Sequence, residues 1–218
     1  MMLSEIKSVL GSAIAASPVA ASALSDVFEA YVLILVIRAA RAEGGKVSFV
    51  RRDGSPATEL LLRTSPGFIY STAQNYTHAV IEFNSRPTLE VHAGIKVAGK
   101  SRVLHELDVA VLDRAEAENC RLNRVSPRSS KVNVGIECKF YSSSLQLHLA
   151  RGFIGLVTDL SVNTPFFVTN TTSASVEKLL SHRVKHGWEH QISPACKNTE
   201  VDRLVHALRS SFKNYKAQ

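Results

Sequence analysis

Two residues in the stretch "GIECKFY" (Gly135 to Tyr141) carry opposite charge two positions apart: Glu137 and Lys139. Side chains on a strand alternate between its faces, so both point one way, while Ile136 and Cys138 point the other way, into a core. On an otherwise apolar strand, such a pair is either an ion pair on a solvated face or part of a site that handles charge. A second stretch, "VLHELDVAVLD", bears on the choice, because it places Asp108 and Glu106 on one face of another strand. Neighbouring strands lie about 5 Å apart, so Asp108 and Glu137 on adjacent strands can share one divalent cation. Hard cations such as Mg²⁺ take oxygen ligands, usually one or two carboxylates completed by water and substrate phosphate. A bound metal lowers the pKa of a water and stabilises charge on a phosphate under in-line attack. Lys139 would stand beside that water and phosphate as an orienting or electrostatic group.

The elements that must position these residues follow from local pattern. A helix is expected from about Asp26 to Glu43, with Asp26 as cap, Glu29 as its capping-box partner and Gly44-Gly45 as its end. "KVSFV" and "THAVIEF" read as strands, separated by a turn at Asp53-Gly54. In "LEVHAGIKV" the apolar Leu89, Val91, Ala93, Ile95 and Val97 alternate with Glu90, His92, Gly94 and Lys96, the period of a strand with one solvated face. "AGKS" turns the chain into the Asp108 strand as the second arm of a hairpin. The polar segment from Arg114 to Lys131 reads as an exposed excursion. After it come the Glu137 strand, a helix capped by Ser142 to Ser144, the strand "PFFVTN", the helix "SASVEKLLSHRVKHG" ended by Gly187, a short strand "WEHQIS", and a final helix. Val201, Leu204, Val205, Leu208 and Phe212 share one face of that last helix, with Asn198 or Thr199 as its cap. The order predicts an α/β fold, a mixed central sheet sandwiched by helices.

The Asp, followed on the next strand by an apolar-flanked Glu-x-Lys, resembles the PD-(D/E)xK nuclease superfamily, the restriction-endonuclease-like fold. The matching residues are Asp108, Glu137 and Lys139, and the resemblance in element order runs from about Asp26 to Asn170. It implies a Mg²⁺-dependent endonuclease, with Mn²⁺ as a possible substitute, that hydrolyses phosphodiester bonds in DNA during restriction, phage defence, recombination or repair. It also implies two accessory positions: an acidic residue on the helix before the core strands, matched by Glu29, and a polar residue on the helix after the Glu-x-Lys strand, matched by Gln146. Each has a plainer reading, a capping box for Glu29 and a surface residue for Gln146. Glu106 is either an alternative metal ligand to Asp108 or a surface carboxylate.

The chain has 218 residues, enough for one domain, expected over 26–218 after an Ala/Ser-rich leader at 1–25. A formal net charge of +7 favours anionic partners. Arg121, Arg124, Arg128 and Lys131 in the excursion, with Arg203, Arg209, Lys213 and Lys216 in the last helix, are the candidates to hold a phosphate backbone. A duplex has two antiparallel strands and the chain one candidate site, so a two-fold homodimer is expected. Cys120, Cys138 and Cys196 make neither a disulfide framework nor a zinc spacing, which points to a reducing, cytoplasmic setting. His182, His186 and His190 recur every four residues, but Gly187 and Trp188 interrupt the helix that would align them into a metal site. His92 and Glu90 either approach the carboxylates or lie on a solvated face, and His105 faces away from Glu106. The alternative to the nuclease is a non-enzymatic nucleic-acid-binding or interaction module on the same fold.

Overall fold

The computed structural model describes residues 15–16, 24–63, 67–141, 143–182, 187–193 and 199–218. The elements are β1 (Ala15–Ala16), α1 (Leu24–Ala42), β2 (Lys46–Arg51), β3 (Glu59–Leu60), β4 (Thr77–Glu82), β5 (Leu89–Ala98), β6 (Leu104–Asp113), α2 (Arg114–Asn123), β7 (Val132–Lys139), α3 (Leu147–Asp159), β8 (Thr164–Thr169), α4 (Ala174–Ser181), β9 (Gly187–Glu189) and α5 (Thr199–Ala217). Seven strands form a mixed sheet in the order β2-β4-β5-β6-β7-β8-β9. The first five of these are antiparallel neighbours, and β7, β8 and β9 run parallel, joined through α3 and α4. Parallel neighbours need such crossovers, and helices then cover the sheet faces. The two-residue β1 pairs with β3 apart from this sheet. Among the described residues, no helix is long and apolar enough to cross a membrane.

One face of the sheet packs against α1 and α5. Val32 to Ile37 of α1 are all buried, because the helix lies between the sheet and α5 and is covered nearly all round. This is why its sequence is apolar without a clear period. Gly44 takes φ +85° and ends the helix, with the Gly45 N–H donating to the Ala40 carbonyl. The helix starts at Leu24, so Asp26 lies in its first turn and is not its cap, and the capping box with Glu29 does not form. Val201, Leu204, Val205, Leu208 and Phe212 of α5 line the same core, as their spacing predicts. On the other face, α3 and α4 pack Phe153, Val176 and Leu180 around Phe167 of β8.

Three segments differ from the expectation. The first ten residues of the supposed excursion form α2, whose Ala117 and Cys120 are buried against Ile95, Leu107 and Leu112. Only two small apolar residues mark its inner face, which makes it read as a polar loop. The helix α3 starts at Leu147 and not among the serines; Gln146 stands at its N-cap and makes no side-chain capping bond. The helix α4 ends at Ser181, and Gly187 belongs to β9. His186, Ser142, Cys196 and Asn198 lie outside the described residues, as does nearly all of the expected leader.

The β5–β6 hairpin bends sharply. Leu89, Val91 and Ala93 face the α1 layer, whereas Ile95 and Val97 face the α2 layer. On the partner strand Val109 and Val111 face α1, and Leu107 faces α2. Both strands therefore change face around Gly94 and Asp108. Gly94 sits at φ +57°, a conformation that glycine adopts without steric cost. The bend breaks the two-residue alternation and sets Asp108 just past the last β6–β7 pair.

Candidate active site

The strands β6 and β7 pair, with a bulge between Val111 and Leu112, as far as Val109↔Ile136 and then part. Beyond that pair, Glu137, Cys138 and Lys139 remain paired with β8 on their other side. The next inward backbone donor, the Cys138 N–H, donates to Asp108 Oδ2 at 2.6 Å. The carboxylate of Asp108 thus closes the fork between the strands, fixed by the backbone and not by a flexible side chain.

The Lys139 ammonium is 2.6 Å from Glu137 Oε1 and 3.9 Å from Asp108 Oδ2. The three residues share one locus, as the strand alternation and the hairpin require. Lys139 and Glu137 keep 27% and 20% of their side-chain surface, so the locus opens to solvent, while Asp108 lies at its buried end. Phe28 packs on Phe140 with ring centres 5.5 Å apart, drawing the start of α1 against the end of β7. Glu29 is thereby brought into the electrostatic neighbourhood of Asp108, Glu106 and Lys139.

The protonation states follow from this crowding. Burial, with the Glu137 charge added, pushes the Asp108 carboxyl up to about 7. Burial, with Asp108 added, pushes Glu29 up to about 8. Glu106 is raised by burial and by Glu137. Burial lowers the Lys139 ammonium, but Glu137 and Asp108 outweigh it and hold the pKa above the ordinary lysine value. Several carboxylates therefore compete for one ammonium, the electrostatic pattern that favours an added cation or proton. Glu106 pairs across the hairpin with Lys96.

The other expected members fare unevenly. Gln146 is exposed at the N-cap of α3 and makes no side-chain capping bond there. Arg121 is only 15% exposed and grips Glu90 with both guanidinium nitrogens, so it is not a surface phosphate contact. Arg128 stays exposed but forms a bidentate pair with Glu116. Arg124 and Lys131 are exposed at the loop between α2 and β7. In the last helix Arg203 pairs with Glu189, and Arg209 and Lys216 both pair with Glu43, tying α5 to the end of α1. His105 Nε2 donates to the Asp159 carboxylate at 2.7 Å, as expected away from Glu106.

A second cluster escapes the sequence reading. Glu90 and His92 are buried, not solvated, because α2 covers that face, and His78 of β4 joins them. His78, Glu90 and His92 offer ligand atoms within 4.8 Å of one another, a group that could hold a metal ion. Among the described residues, Asp108, Glu137 and Glu106 make no such three-residue group, so a cation beside Asp108 would draw on two carboxylates.

No family model and no curated protein matches this chain. Among solved structures, a protein of unknown function, AF1548, is similar at 22% identity with a TM-score of 0.36. The similarity covers 55% of this chain and 57% of that one.

Proposed function

We propose that the chain is a Mg²⁺-dependent DNA endonuclease that hydrolyses phosphodiester bonds, with Asp108, Glu137 and Lys139 as its working residues. The observation that carries the reading is the placement of one ammonium, Lys139 Nζ, within 3.9 Å of both carboxylates at the solvent-facing end of a strand fork. The residues fit a hard cation: the donors are carboxylate oxygens, and a cation would offset the burial and the Glu137 charge that raise the Asp108 pKa. Asp108 and Glu137 would hold the cation, with Mn²⁺ as a substitute. When bound, Mg²⁺ supplies positive charge at the scissile phosphate and acidifies a water.

The protein's own contributions follow from the geometry. The Cys138 N–H holds Asp108 in a fixed orientation, so little reorganisation is needed when charge develops. Lys139 is anchored by Glu137 and directs its remaining N–H groups to the phosphate or the attacking water. Glu29 carries a proton near neutrality and gives it up as local positive charge rises. Arg124 and Lys131 hold backbone phosphates. A two-fold pair of chains would address both strands of a duplex. Restriction, phage defence, recombination and repair are the settings this chemistry serves.

Calorimetric titration with Mg²⁺ tests the site directly. Binding by the wild type that is lost in Asp108→Asn with Glu137→Gln supports it. Equal heats from both proteins place the cation elsewhere.

A further inference from the structure

Two imidazoles lie stacked inside the sheet, far from solvent. His78 of β4 and His92 of β5 have ring centres 4.6 Å apart and planes within 14°. Both turn Nε2 toward a single atom, Glu90 Oε2, at 3.5 Å for His78 and 2.8 Å for His92. That oxygen also accepts from Arg121 at 2.9 Å, and Arg121 takes Glu90 Oε1 at 2.7 Å. Oε2 is thus occupied by His92 and Arg121, and His78 stops beyond a good hydrogen-bond length. His78 is 4% exposed, and among the described residues its Nδ1 has no hydrogen-bond partner. A buried polar side chain in this position calls for a physical reason. The Nδ1 of His92 is equally without a partner among the described residues, so none of these fixes the proton on Nε2 from the far side of either ring.

We propose that His78 Nε2, His92 Nε2 and Glu90 Oε2 form a structural site for a borderline transition-metal ion of the Zn²⁺ class. Two imidazoles and one carboxylate suit Zn²⁺ and not Mg²⁺, which prefers oxygen alone. Ligand atoms about 2.1 Å from one tetrahedral centre lie about 3.4 Å apart, so the present spacing needs only a modest adjustment. Arg121 keeps its bond to Glu90 Oε1 and orients the ligating carboxylate from outside, as such partners commonly do. The bound ion ties β4, β5 and α2 together. The three ligands include none of Asp108, Glu137 and Lys139, and the proposal does not depend on the nuclease reading.

All three ligands are buried, so loading accompanies folding. The test is to unfold the full chain in denaturant with a chelator and refold it with Zn²⁺, Co²⁺ or Mg²⁺. After desalting, metal content, the visible spectrum of the Co²⁺ form and the melting temperature are measured. The expected result is about one Zn²⁺ retained per chain, an intense tetrahedral Co²⁺ spectrum, and a higher melting temperature with Zn²⁺ than with Mg²⁺. Zn²⁺ retention should persist in Asp108→Asn with Glu137→Gln, which separates this site from the other carboxylates, and should fall to the background level in His78→Gln. Should His78→Gln fail to refold, the wild-type Co²⁺ spectrum decides alone. Refolded wild type that retains no Zn²⁺, a weak octahedral Co²⁺ spectrum, or undiminished retention in a folded His78→Gln overturns the proposal.

Discussion

The Asp108 carboxylate accepts the backbone N–H of Cys138 at 2.6 Å, across the point where β6 and β7 part. A side chain here takes the place of a ladder hydrogen bond. An asparagine in its place would keep an acceptor for that donor and remove the charge, whereas alanine would leave the N–H buried without a partner at a cost of about 1–3 kcal/mol. Asp108→Ala should therefore melt below Asp108→Asn in thermal denaturation, and both should lose Mg²⁺ binding.

The pH dependence of stability follows from the same carboxylate. Its folded pKa, about 7, lies above its ordinary value of 3.8, so the folded protein holds a proton that the unfolded chain releases. Stability without divalent cation should fall as pH rises from about 4 to about 7 and then level off, with Glu29 at about 8 extending the slope upward. The contribution of Asp108 is at most about 4 kcal/mol. Asp108→Asn should raise the melting temperature at pH 8 and leave it nearly unchanged at pH 4. Added Mg²⁺ should flatten the wild-type slope above pH 7.

Arginines on one helix and its loop should behave differently. Removing one partner of a buried ion pair costs about 3–5 kcal/mol, so Arg121→Gln should destabilise the fold through Glu90. Arg124→Gln and Lys131→Gln should leave stability nearly unchanged, and each should reduce the slope of log K against log salt for duplex DNA by about 0.9. A reduced slope in Arg121→Gln, with an unchanged one in the other two, would reverse the assignment.

The hairpin is legible in the sequence because its alternation is strong and its turn explicit. Asp108, Glu137 and Lys139 are legible because their relation depends on one strand's two-residue spacing and one neighbouring strand. What lies beyond needs tertiary context. The inner face of α2 consists of Ala117 and Cys120, too small a signal to distinguish a helix from a polar loop. Without α2, Glu90 and His92 look solvated and Arg121 looks available to DNA. The bend at Gly94 and Asp108 cannot be read from alternation, which it interrupts. With α1 starting at Leu24, Glu29 is placed by packing of Phe28 on Phe140, not by capping.

In the proposed mechanism Lys139, Glu137 and Asp108 act together on a phosphodiester. The direct measurement is cleavage of supercoiled plasmid by wild type and Lys139→Ala, with and without Mg²⁺ or Mn²⁺, alongside their melting temperatures and DNA affinities. Loss of one group that stabilises developing charge slows a reaction by about 100- to 1,000-fold. The wild type should nick in a metal-dependent way, and the Lys139→Ala protein should fold and bind DNA but cut slower by that factor. Metal-dependent cleavage at equal rates by both proteins, or no cleavage by a folded, Mg²⁺-loaded wild type across a panel of plasmid and branched DNA, would contradict it.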